Sequence, residues 1–167
     1  MDFVQSYPSL PAYGKVDSQT NQCIINAANK YNVPELLVHS IILVEKGNRG
    51  QCVVNRDSKT KQIKSYDCGL AQINTTHLEE LSKYGITINH IAHDNCLNVA
   101  TSAYILRKYY NEKQDWTKTI IAYNIGPANW TPQRLSVGVT YANKVIHYWK
   151  QLYNYTQTQQ QYAKNGN

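Results

Sequence analysis

No apolar run in these 167 residues approaches the length of about eighteen that carries a helix across a bilayer. Basic residues never gather into a block, and no compact Lys/Arg-Gly-aromatic strand of the RNA-reading kind occurs, although the chain holds 14 tyrosines. The four cysteines, Cys23, Cys52, Cys68 and Cys96, never form Cys-x-x-Cys. His39, His77, His90, His93 and His147 show no paired ligand spacing on one strong helix. Zinc ribbons and thioredoxin-type sites are thereby disfavoured, and neither a metal nor a cofactor is expected. The first eight residues, Met1 to Pro8, have neither a basic n-region nor an apolar h-region. An exported protein would therefore be read here as a mature form with an added Met1, or as one using another export route. Internal repeats are absent as well.

What is present bounds the class. A chain of this length is one domain with a proper core. The formal charge of +6 and pI near 9.1 call for an anionic or surface-bound partner, with nucleic acid, membrane headgroups and an acidic polymer as the options. Scattered basic residues make nucleic acid a poor choice, and no membrane span is expected. An even cysteine count without metal spacing points to disulfides and an oxidising compartment; four cysteines allow three pairings.

The stretch around which the chain is organised is Leu36 to Gly47, almost wholly apolar until it reaches Glu45. Pro34 and Glu35 before it, with Gly47-Asn48 behind it, make it a buried helix rather than a strand. Helical spacing puts Glu45 on the face of Leu37, Val38, Ile41 and Ile42, so the carboxylate points along apolar surface. Desolvation there, together with the negative end of the helix dipole, raises a carboxyl pKa. A group that donates a proton near neutral pH needs that environment. The plainer alternative is a Glu45 that snorkels outward and pairs with Lys46 or an arginine.

In chain order, residues 1–16 read as an extended lead-in. Asp17 or Ser18 caps a first helix with a stripe of Cys23, Ile24, Ala27, Ala28 and Tyr31. Residues 50–66 read as a polar loop or small β-hairpin. The segment Tyr66 to Asn74 fits neither an amphipathic helix nor an alternating strand and sets Asp67, Gln72 and Asn74 among small and apolar neighbours, as a lining segment does. Thr76 is expected to cap a short helix to Tyr84, and Asp94 or Asn95 a longer one. Another helix, 117–123, ends at Tyr123-Asn124, and a last one carries Tyr141, Val145, Tyr148, Trp149 and Leu152. Residues 17–153 thus form one mainly α domain, and the Asn/Thr/Gln-rich 154–167 is expected to be a disordered tail.

Three segments together resemble the lytic transglycosylase domain, whose fold is similar to goose-type lysozyme: Glu45-Lys46-Gly47, Gly69-Leu70-Ala71-Gln72-Ile73-Asn74, and Ala122-Tyr123-Asn124-Ile125-Gly126. Tyr141 matches a tyrosine that the family carries in its last helix. With Cys23, the Asp94 to Val99 segment looks most like the small members that accompany secretion or conjugation machines, which are periplasmic. Lys46 stands where the family usually has Ser, and Ala71 where it usually has Met. The resemblance implies a lysozyme-like fold and peptidoglycan glycan strands as substrate, with secretion or conjugation proteins as further partners. It makes Glu45 the acid that protonates the bond after N-acetylmuramic acid and then accepts the C6 hydroxyl proton, closing a 1,6-anhydro ring. Gln72, Tyr123 and Asn124 would contact the sugar or the acid, Tyr141 would orient Glu45, and Asn74 would brace its turn. The expected bridges are Cys23–Cys96 and Cys52–Cys68. Asp67 is open: it is either the second carboxylate of an ordinary hydrolase or a turn-bracing aspartate. Local backbone bonding for Gln72 and simple packing for Tyr123 and Tyr141 are the plainer readings. A non-catalytic peptidoglycan-binding module, which Lys46 beside the acid would suit, is the rival class.

Overall fold

The computed structural model describes residues 16–165, so the lead-in assigned to residues 1–16 lies outside it except for Val16. Helix α1, Ser18–Tyr31, starts where Asp17 Oδ1 accepts the Thr20 amide at 2.7 Å and ends at Asn32 in the left-handed region. It turns directly into α2, Glu35–Glu45, whose face from Leu37 to Leu43 is entirely buried. The long α5, Asn95–Lys113, is capped by Asp94 and lies along α1; α6, Trp116–Ile125, sits between α5 and α7, Pro132–Asn165. Because α2 packs on α7 as well as on α1, the apolar run anticipated in the sequence is the spine of the core. Fully burying a side chain such as Val38 or Ile41 stabilises a fold by about 1.5–3 kcal/mol. Among the described residues no helix is long and apolar enough to cross a membrane.

A three-stranded antiparallel sheet completes the domain: β1, Cys52–Arg56, pairs with β2, Ile63–Cys68, which pairs with β3, Ile73–Asn74. The expected hairpin is there, and it reaches further than residue 66. The Tyr66 to Cys68 piece, which did not look like a strand, is one because its partners on either side supply the ladder. A four-residue turn at Gly69 to Gln72 then returns the chain as β3.

Two local expectations are corrected, and one helix is added. Asn74 rather than Thr76 caps the turn that leads into the short helix α3, Leu78–Leu81, its Oδ1 accepting the Thr76 amide at 2.9 Å. A helix not foreseen, α4, Ile88–His93, forms because Thr87 and His90 make a reciprocal cap. Finally, the stretch expected to be a disordered tail from Asn154 continues α7 as far as Asn165. Its stripe of Tyr148, Leu152, Tyr155 and Thr156 carries on at helical spacing, and Leu152 buries against Leu43 of α2, with Leu36 packed alongside. That satellite core anchors the helix, which the polar composition of the segment conceals.

Disulfides join Cys23 to Cys96, tying α1 to the start of α5 across 73 residues, and Cys52 to Cys68, directly opposite each other on β1 and β2. Chain-entropy arguments make the longer loop worth on the order of 4 kcal/mol and the shorter about 3 kcal/mol. Replacing Cys23 and Cys96 together should therefore lower the thermal midpoint more than replacing Cys52 and Cys68, as followed by far-ultraviolet circular dichroism. Equal midpoints for the two double variants would contradict this assignment of the stabilising bridge.

Candidate active site

Glu45 is the last residue of α2, and the helix stops there because Lys46 takes a left-handed conformation, φ 53°, with its amide donating to Ile42 O at 3.1 Å. The helix-stopping residue is thus Lys46. Gly47 serves a different purpose: a Cβ on it would lie 1.9 Å from Gly69 O, so only glycine lets the end of α2 touch the turn after β2. Gly69 is constrained twice over, with φ 73° and the Asn98 amide 2.2 Å from where its Cβ would stand.

Asn98, one turn into α5, holds that turn in place. Its buried side chain donates to Cys68 O at 2.8 Å and to Ile91 O at 2.9 Å, and accepts from the Ala71 amide at 2.8 Å. The turn is tied from the other side as well, where the Tyr123 hydroxyl donates to Ala71 O at 2.9 Å beside the Ser102 hydroxyl, 3.1 Å away. Tyr123 thus spends its hydroxyl on the scaffold, and burial with the nearby Glu45 pushes its pKa up. Ala71 is fully buried and does not line the cleft. Gln72 has φ 49° and returns its side-chain amide to Gly69 O at 3.0 Å.

Facing this turn is a cleft of about 610 Å³. Six of the residues singled out in the sequence line it: Glu45, Asp67, Gln72, Asn74, Tyr123 and Asn124. Tyr141, the seventh, approaches Glu45 from α7, its hydroxyl donating to Glu45 Oε1 at 2.5 Å. Asp67, on β2, is clamped by two amides: Asn55 donates to one carboxylate oxygen and Asn74 to the other, each at 2.7 Å. Asn74 also donates to Ser65 Oγ at 2.9 Å. Asn55, Asn98 and Ser102 were missed from sequence. Nothing local marks Asn98, which shares the buried face of α5 with the polar Thr101 and Ser102, or Asn55, whose role depends on the hairpin register.

Electrostatics set Glu45 apart from an ordinary exposed carboxylate. Burial, the dominant cause, together with the charge of Asp67, lifts the Glu45 pKa from 4.5 to about 7, against the opposing hydrogen bond from Tyr141. Glu45 is therefore an acid that still holds a proton close to neutral pH. Tyr141, buried beside it, has its own pKa pushed well up by burial and by Glu45, and so remains a hydrogen-bond donor. Among the described residues no group of His, Cys, Asp and Glu is placed to hold a metal ion.

The profile of the transglycosylase SLT domain matches residues 22–146, three quarters of the chain and every element around the cleft. The chain belongs to the transglycosylase SLT family. It is accordingly a peptidoglycan lytic transglycosylase with a lysozyme-like, mainly α fold. The Salmonella typhimurium invasion protein IagB is 31% identical over 134 residues, covering 78% of this chain and 76% of that protein. The peptidoglycan-binding-like protein of Escherichia coli O157:H7 is 28% identical over 114 residues, 67% of this chain and 68% of that protein. An Escherichia coli X polypeptide is 28% identical over 108 residues, 65% of this chain and 61% of that protein. Membership of this family and the two disulfides both point to an extracytoplasmic location.

A carboxyl whose pKa is raised by folding favours the fold while protonated. Its contribution is intact below about pH 4.5 and is lost as pH rises through about 7. Above pH 7 the buried Glu45 anion should cost the fold stability, on the order of 3 kcal/mol at most. Glu45→Gln should consequently melt higher than the wild type at pH 8, with the gap closing toward pH 4.5. Thermal melts across that range check this, and a gap independent of pH would show that Glu45 is not buried in the acid form.

Proposed function

We propose that this transglycosylase cleaves the β-1,4 bond between N-acetylmuramic acid and N-acetylglucosamine with Glu45 as its single acid and base. Glu45 gives its proton to the glycosidic oxygen as the C1–O bond breaks. The 2-acetamido oxygen of the same sugar steadies the positive C1. The C6 hydroxyl oxygen then bonds to C1 while Glu45 takes back the hydroxyl proton, so a 1,6-anhydro end forms and no water is consumed. Intramolecular delivery gives the C6 hydroxyl a high effective concentration, which removes the need for a second carboxylate to activate water.

The observation that carries this reading is the pairing of a near-neutral Glu45 with the Tyr141 hydroxyl at the edge of the cleft. In that arrangement Tyr141 keeps Oε1 in position and leaves Oε2 to face the bond. Gln72 and Asn124 contact the sugar at the cleft wall, and Tyr123 braces the turn on which Gln72 sits. Asn74 supports Asp67. The likeness to a protein named for invasion supports a periplasmic enzyme that opens the wall locally for a secretion or conjugation apparatus.

One observation favours a second reading. Asp67 lines the same cleft as Glu45 with both oxygens oriented by amides, as the second carboxylate of a hydrolase requires. Digestion of purified peptidoglycan separates the two. Anhydro ends, lighter by one water than hydrolysed ends, are expected by mass spectrometry. Glu45→Gln should lose roughly a hundred- to ten-thousandfold in rate. Asp67→Asn should lose about tenfold and still yield anhydro product, a ratio in keeping with a positioning role. Hydrolysed ends from the wild type, with Asp67→Asn as inactive as Glu45→Gln, would establish the hydrolase instead.

A further inference from the structure

Glu45 borders two grooves. Beyond it, on the side away from the sheet, a groove of about 1000 Å³ runs between the end of α2 and one face of α7. Among the described residues Glu45 is the only carboxylate in its wall, whereas Lys46, Lys144 and His147 all line it. On α7 the residues Thr140, Lys144, His147 and Tyr148 recur at helical spacing, so the basic stripe begins beside Tyr141 and leads away from the acid along the helix. Lys46 and Lys144 are exposed, and neither has a salt-bridge partner among the described residues. The first cleft differs in kind: it contains Asp67, and its Lys64 is paired with Asp57 at 3.1 Å.

Sugars of a glycan strand bring no charge to match this stripe. The charged part of peptidoglycan is the stem peptide, attached through the lactyl group of every second sugar and carrying several carboxylates. A groove that starts at the cleaving acid is placed to receive the lactyl-linked stem of a nearby muramoyl residue. Two like charges lining one groove, with no salt-bridge partner among the described residues, are best compensated by an anionic ligand. We infer that the α2–α7 groove is a stem-peptide site in which Lys46 and Lys144 bind the carboxylates of the peptide, so that the enzyme selects peptide-bearing over denuded strands. The inference rests on the reading of Glu45 as the glycan-cleaving acid. It also assigns a purpose to Lys46, where the family usually has Ser.

Binding in a non-cleaving protein tests the site apart from the chemistry. Glu45→Gln is titrated onto immobilised glycan strands, either carrying their stem peptides or stripped of them by an amidase. At low salt it should bind the peptide-bearing strands about three- to tenfold more tightly, and the preference should fade as salt rises. Adding Lys46→Gln and Lys144→Gln should bring the ratio to about one, while Lys46→Arg with Lys144→Arg should keep it and show that the positions tolerate substitution. Equal binding to both strands, or a preference that survives the two glutamines, would overturn the inference. Hydrolysed ends in the digest would overturn the chemistry and leave this ratio as it is.

Discussion

The contact between the Tyr141 hydroxyl and Glu45 Oε1 is the point on which the active site depends. Burial alone would let the carboxyl of Glu45 rotate among apolar neighbours, and full exposure would return it to an ordinary carboxylate. The observed arrangement lies between these limits. Desolvation raises the pKa and the tyrosine lowers it, so the result of about 7 reflects a balance of opposing effects. The same contact explains why α2 and α7 must pack closely. Tyr141 is separated from Glu45 by 96 residues, and only the register of Val145, Tyr141 and Leu152 against α2 brings the two together.

Around that pair, backbone contacts matter as much as side chains. Gly47 and Gly69 allow the end of α2 to touch the turn after β2, and Asn98, from inside α5, satisfies that turn with two hydrogen bonds and ties it to α4 with a third. Removing a buried amide such as Asn98 leaves backbone groups without partners, at about 1–3 kcal/mol each, so the turn's shape is strongly determined. The cleft is consequently made by a rigid junction of α2, α5, the sheet and α6. Its polar wall, with Asp67 held by Asn55 and Asn74, is equally fixed. The disulfide between Cys52 and Cys68 fastens the hairpin next to that wall.

Legibility from sequence followed the range of the interactions. The buried helix and its terminal acid were readable because period, proline and glycine all lie within fourteen residues, and the lining segment was readable because it matched no regular pattern. The caps, read as Asp17 or Ser18 and as Asp94 or Asn95, and the loop or small hairpin are equally local, and Asp17 and Asp94 are the residues that cap. The role of Asn55 was hidden because it depends on a strand register, and that of Gly47 because close approach leaves no mark distinct from helix termination. Residues 154–165 misled in the opposite direction: their composition is polar, yet Tyr155 and Thr156 continue a stripe that only the position of Leu43 and Leu36 on α2 makes useful. Gln72 shows the limit of motif reading, since its side chain bonds to Gly69 O while it also lines the cleft.

Cleavage by this enzyme depends on the proton that Glu45 holds. Carbon-13 NMR of the side-chain carboxyl groups, with the Glu45 resonance assigned by its loss in Glu45→Gln, follows that proton directly across pH. A titration midpoint near 7 is predicted, set by burial and opposed by Tyr141. A midpoint near 4.5, the ordinary value for a glutamate, would show an ionised carboxylate at neutral pH and contradict its part as the proton donor.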